Sequence, residues 1–200
     1  MEERPFRAAL EGGNELGFSP RGRPIPGHTA LYVTTITVLR VRRPYDSAMD
    51  RTFFITTVTW QRQPIFRNES RAKLLLEIFF HYRDEKKYLL HEFVVMPDHL
   101  HVLITPAPEI TLERAVQFIK GGFSYRLRKE SKMMVWQQSF TNHRIRDAAD
   151  YGQHVCYIHL NPVRARLVKS PGEYVYSSAN DAFRLDGAPL GLKPGLRESA

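Results

Sequence analysis

Residues 96–104, Met-Pro-Asp-His-Leu-His-Val-Leu-Ile, leave the chain few choices of fold. A Pro-Asp pair opens a β-prone run in which two histidines stand one residue apart. Alternate side chains of a strand share a face, so His99 and His101 point one way while Leu100 and Val102 point into the other layer. Neutral imidazole is a common ligand for divalent metal ions, and such a pair on a rigid strand offers a clamp for a cation. The plainer alternative is a strand face that is merely polar. Pro97-Asp98 itself reads as turn chemistry, with orientation of an imidazole by Asp98 the lesser reading.

The flanking sequence supplies the partners of this strand. Thr52–Trp60 alternates and is rich in β-branched and aromatic residues, which predicts a strand. Asn68 can cap a helix running to about Asp84, with Leu74 and Ile78 in its buried stripe. Tyr88–Met96 and Leu100–Thr105 then read as two strands joined at Pro97-Asp98. Thr111 can begin a second helix, with Glu113 and Arg114 in its first turn, weakened in its middle by Gly121-Gly122. His143–Asp147 reads as a last short strand before a helix over 148–161. This order, strand, helix, strand, strand, helix, strand, predicts a ferredoxin-like α+β sandwich in which helices pack on an antiparallel sheet.

On the helix over 148–161, Tyr157 and Asn161 stand one turn apart on one face. Tyrosine brings a nucleophilic oxygen and asparagine a neutral carboxamide oxygen. Two imidazoles and a carboxamide bind a divalent cation without cancelling its charge, so an anionic phosphodiester is drawn in beside a tyrosine. A free phenol has a pKa near 10, so a cation must polarise the phosphate or help activate the phenol. Pro162 disfavours α geometry at the residue before it, which predicts that Asn161 ends the helix.

The pair His99 and His101 with a helix-borne tyrosine resembles the single-tyrosine HUH transposases. The surrounding segments are similar more narrowly to the REP-associated tyrosine transposases: Thr52–Phe66, Phe93–Ile104, Phe118–Leu127, Val135–Asp147, Tyr157–Val168 and Tyr174–Ser178 follow in the family's order. The resemblance implies that Tyr157 is the nucleophile and that His99, His101 and Asn161 hold Mg²⁺ or Mn²⁺. It further implies attack on single-stranded DNA, a 5′-phosphotyrosine and a free 3′-hydroxyl, with palindromic hairpin repeats as substrates. A bacterial cytoplasmic, nucleoid-associated location follows from the same resemblance, which leaves a homodimer open.

Charge agrees with an anionic partner, at a net +8 and a pI near 9.7. Lys120, Arg126 and Arg128 could track a phosphate backbone, although the helix dipole also favours cations at that end. Arg144, Arg146, Arg164 and Arg166, closer in sequence to Tyr157, are the stronger candidates for DNA contact. Trp136 and Phe140 could stack unpaired bases, with core packing the expectation for at least one. His143, His154 and His159 could shuttle protons or support the site, His159 facing away from Tyr157 on a regular helix. A single cysteine, Cys156, excludes an internal disulfide and CxxC-type zinc or iron–sulfur sites, and reads as a small core residue. Tyr151 and Tyr174 lack an asparagine one turn later.

Residues 1–48 interleave Gly12, Gly13, Gly17, Gly22 and Gly27 with Pro5, Pro20, Pro24 and Pro26 and read as a flexible arm. Its structured candidate is a strand over Ala30–Val41, too short and too polar for the roughly 20 residues of a membrane helix. Either Met49 is the biological start or the arm is a basic DNA-tracking segment. The catalytic domain is expected over 49–182, with 183–200 as a C-terminal tail. Two other classes share these features: a domesticated, non-catalytic hairpin-binding protein, and a zinc hydrolase built on His99 and His101.

Overall fold

A computed structural model describes residues 51–128 and 133–194. The arm of residues 1–48 and the strand expected over Ala30–Val41 lie outside the described residues. The described chain forms β1 (Phe53–Val58), α1 (Glu69–Asp84), β2 (Tyr88–Val95), β3 (His99–Pro106), α2 (Leu112–Leu127), β4 (Thr141–Arg144) and α3 (Ala148–Arg164). One antiparallel sheet orders the strands β2-β3-β1-β4. This is the ferredoxin-like α+β arrangement that the sequence predicts. The last strand begins at Thr141, two residues before the expected start, and no helix among the described residues is long and apolar enough to cross a membrane.

The helices start where short polar side chains can cap them. Asn68, Thr111 and Asp147 each accept a hydrogen bond from the amide three residues on, at Arg71, Arg114 and Asp150. α1 buries Ala72, Leu75, Leu76, Ile78 and Phe79, while α2 buries Ala115, Val116, Ile119, Phe123 and Leu127. Both stripes join a core with Ile55, Phe93, Leu100, Val102 and Ile104. The intervening strand residues face the other way: Val94 and Leu103 pack with Ile158 of α3, and Phe54 and Val155 pack against them. Strand alternation therefore sorts the sheet into an α1/α2 face and an α3 face.

A departure from regularity in β2 sets the position of α3. At His91 the β2–β3 register shifts, so that Glu92 lies opposite Leu103, on the side of α3. There Glu92 Oε2 accepts from His159 Nε2 at 2.8 Å and from the Ser178 hydroxyl, tying α3 to the edge of the sheet. His159 is therefore a partly buried anchor and is paired, not free. The segment Tyr174–Ser178 covers that edge through Val95 N–H to Tyr176 O and Ser178 N–H to Phe93 O, both 2.9 Å.

Residues set apart as a tail in the sequence pack on the domain as far as they are described. Phe183 stacks on Phe80 and meets Phe93 edge-on, and Asp186 accepts from Arg83 at 2.8 Å and from the Leu90 amide. Trp136 is likewise core, donating from Nε1 to Lys120 O and packing on Phe66 and Phe123.

The adjacent glycines of α2 differ in their surroundings. A Cβ on Gly122 would sit 2.9 Å from the Tyr82 ring of α1, whereas one on Gly121 would meet only Gln117 Cγ at 3.8 Å. We expect Gly121→Ala to stabilise the fold by about 0.5–1 kcal/mol. Gly122→Ala should destabilise it by about 1–3 kcal/mol as α2 is pushed off α1. Urea denaturation of the two variants checks the opposite signs.

Candidate active site

Pairing places His101 opposite Thr56 on β1 and Val94 on β2, in the middle of the α3 face. Its Nδ1 bonds to the Thr56 hydroxyl at 2.7 Å, and its Nε2 is buried with no hydrogen-bond partner. A buried polar atom without a partner is costly, and among the described residues the Thr57 hydroxyl is the other such side-chain atom. Burial, and after it the neighbouring His99, pulls the His101 pKa down to about 3. The ring therefore stays neutral at physiological pH, the form in which an imidazole binds a cation.

His99, two residues earlier at the strand entrance, approaches His101 edge-on with ring centres 4.9 Å apart. Its Nδ1 donates to Asp98 Oδ1 at 2.6 Å, which leaves Nε2 as the ring nitrogen not engaged by the carboxylate. Asp98 thus orients the imidazole as well as shaping the turn, the lesser of its two sequence readings. Burial opposes its charge, yet the bonds from His99 and Arg62 hold its carboxyl below the usual carboxylate range.

The tyrosine comes from the facing helix. Tyr157 meets His101 edge-on at 5.1 Å between ring centres and Phe54 at 5.8 Å, while staying 40% exposed. Arg164, two turns further on, lies over its ring at 5.6 Å. The competing tyrosines are worse placed for chemistry: burial and nearby Glu92 push Tyr151 up to about 12, and burial and Tyr176 do the same to Tyr174. Tyr174 also donates its hydroxyl to Val95 O.

Asn161 does not end its helix. α3 continues through the buried Pro162 to Arg164, with Ala165 N–H donating to Asn161 O at 3.0 Å. Proline removes its own amide bond to the carbonyl four residues back and crowds that carbonyl, a local cost that the packing of α3 against β2 and β3 overrides. Asn161 accordingly sits in regular helix one turn beyond Tyr157.

A second cluster was visible in the sequence only as separate residues. His143 on β4 donates from Nε2 to both carboxylate oxygens of Asp150, at 3.0 and 2.8 Å, and Arg146 adds its amide and Nε at 3.0 Å. His154 lies 3.2 Å from the same carboxylate, gives Nδ1 to Asp150 O at 2.8 Å, and stacks on His143 at 4.6 Å. The ligand atoms of His143, Asp150 and His154 lie within 4.8 Å of one another, close enough to hold a metal ion. The Asp150 oxygens, however, are already engaged by Arg146 and His143, whereas His101 Nε2 has nothing.

The basic candidates divide by face. Lys120, Arg126 and Arg128 ride on or just after α2, across the sheet from Tyr157. The Lys120 ammonium donates to Gln137, Gln138 and Ser139 carbonyls, and Arg126 pairs with Glu77. Arg144, Arg146, Arg164 and Arg166 are exposed on the strand before α3 or around α3 itself. Cys156 is exposed, contrary to its reading as a core residue.

With the geometry in place, the chain can be set beside known proteins. The family model of IS200-like transposases matches residues 49–161, a stretch that takes in all four strands and ends at Asn161. The chain belongs to that family. A REP-associated tyrosine transposase of Escherichia coli K12 is 26% identical over 135 residues, covering 64% of this chain and 80% of that protein. A second relative, from Haemophilus influenzae and described as a REP-associated tyrosine transposase of inferred function, is 30% identical over 96 residues, 42% of this chain and 54% of its own length. The solved structure of a REP-associated tyrosine transposase bound to a REP hairpin superposes with a TM-score of 0.57 at 26% identity, over 70% of this chain and 86% of that one.

Burial opposes the charge of Asp150, but Arg146 and His143 together draw its pKa from 3.8 down to about 2. Because the folded-state value lies below the ordinary one, the carboxylate stabilises the fold above about pH 4 and loses that contribution as pH falls towards 2. Asp150→Asn should cost about 1–3 kcal/mol at neutral pH. In denaturation series the gap to wild type should narrow below about pH 4.

Proposed function

We propose that this transposase cleaves and rejoins single-stranded DNA at palindromic hairpin repeats, with Tyr157 as nucleophile and a divalent cation, Mg²⁺ or Mn²⁺, at His99, His101 and Asn161. The observation that carries the reading is the buried, unpartnered Nε2 of His101 on a ring that meets an exposed tyrosine edge-on, 5.1 Å between ring centres. The relative bound to a REP hairpin supports the substrate class.

The phenolic oxygen of Tyr157, giving up its proton to solvent, attacks the phosphorus and forms the Tyr–O–P bond as the bond from phosphorus to the 3′ oxygen breaks, and that oxygen takes up a proton to leave as a free 3′-hydroxyl. Reversal by a second 3′-hydroxyl rejoins DNA without ATP, because the phosphotyrosine bond conserves the energy of the diester. A bound cation would supply Lewis acidity at the phosphate oxygens. The protein's part is to hold and aim. Asp98 and Thr56 fix the two imidazoles, α3 presents Tyr157 and Asn161 on one face, and Arg164 puts positive charge beside the phenol. Arg144, Arg146 and Arg166 extend that charge along the DNA, which the enzyme meets in the cytoplasm.

Incubation of wild-type protein with hairpin oligonucleotides and Mn²⁺ should give a covalent adduct stable to denaturant, and Tyr157→Phe should give none while keeping hairpin affinity. Adduct formation by Tyr157→Phe would contradict the assignment, and tight binding without any wild-type adduct would point to a non-catalytic hairpin binder. Thr56→Val and Asp98→Asn should raise the cation concentration needed for half-maximal cleavage by about 10–100-fold. A Mn²⁺ titration of cleavage rate measures this.

A further inference from the structure

Beside Tyr157, on the α3 face, a cleft of about 280 Å³ opens to solvent between Phe54, Gln153, His154 and Tyr157. We propose that this cleft is a subsite for one unpaired nucleobase, the base attached to the phosphate that Tyr157 attacks. The inference rests on the strand-transfer reading above and adds a ligand contact to it.

Three observations converge on that occupant. The walls are rings: Phe54 meets His154 at 4.7 Å and Tyr157 at 5.8 Å, while Gln153 adds an exposed carboxamide that can both donate and accept. Aromatic platforms bind unpaired bases by their flat faces, and a polar edge beside them reads the base identity. The size falls just below that of ordinary ligand clefts, about 300–1,000 Å³, which suits a single ring system.

The wall is also held in advance. His154 is fixed through Nδ1 by the Asp150 main-chain carbonyl and backed by the stacked His143, whose own Nε2 is anchored on the Asp150 carboxylate. The cluster that could pass for a metal centre thus acts as a brace for the imidazole that lines the cleft, and it costs the bound base no ordering of that side chain.

Continuity fixes where the base comes from. Tyr157 is both a wall of the cleft and the attacking group, so a diester in bonding reach of its oxygen brings its own nucleotide to this opening. Arg164 over the Tyr157 ring supplies the positive charge that the connecting backbone needs.

The test uses the full-length Tyr157→Phe protein and hairpin oligonucleotides carrying single-stranded flanks, with 2-aminopurine placed in turn at each flanking position. One position next to the cleaved bond, mapped with wild-type protein, should change fluorescence on binding as the base stacks. Making that position abasic should weaken binding about tenfold or more. Adding Gln153→Ala or His154→Ala should abolish both effects and leave affinity for the flankless hairpin stem unchanged; Gln153, being exposed, keeps the test independent of folding. Equal affinity for abasic and intact flanks, alongside a normal wild-type adduct, would overturn the cleft while leaving the nucleophile in place. Failure of the wild-type protein to bind or cleave any hairpin oligonucleotide would remove both readings.

Discussion

Everything at this site follows from burying a neutral imidazole in the centre of an antiparallel sheet. His101 is fixed by its register between Thr56 and Val94, with one nitrogen bonded and the other left over beneath α3. Such an arrangement is unfavourable by itself. It is tolerable because the opposite face of the same strand, through Leu100, Val102 and Ile104, is locked into the α1/α2 core. The fold's stability and its reactive surface are thus separated by the two-residue period of one strand.

The tyrosine is positioned by contacts some way from the chemistry. Ile158 plugs the second core, Glu92 holds His159 because a one-residue register shift turns it towards α3, and Asp147 caps the helix start. Between those points Tyr157 is left exposed above His101. A helix secured at its flanks and open at its middle can hold out the side chain proposed as nucleophile without burying it.

Local signals made much of this legible from the sequence. Alternation in 96–104 gave the facing of His99 and His101, and Asn68 and Thr111 marked helix starts because capping is a matter of three consecutive residues. The rest depended on contacts between residues far apart in the chain. Local rules would end a helix before Pro162, yet packing against β2 and β3 carries α3 through it. The joining of His143 and Arg146 to Asp150 needs β4 and α3 to meet at a defined angle, which no spacing encodes. Glu92 reached His159 only through the register shift, and the packing of Phe183 and Asp186 could not be told from their polar, proline-containing surroundings.

Two places on the α3 face could hold a cation, and they differ in one respect. Asp150 is already satisfied by protein donors, whereas His101 Nε2 is not. Crystals of the protein grown with Mn²⁺ and recorded near the manganese absorption edge distinguish them directly. An anomalous peak is expected within bonding distance of Nε2 of both His99 and His101. A peak confined to His143, Asp150 and His154, with the two strand histidines bare, would contradict it.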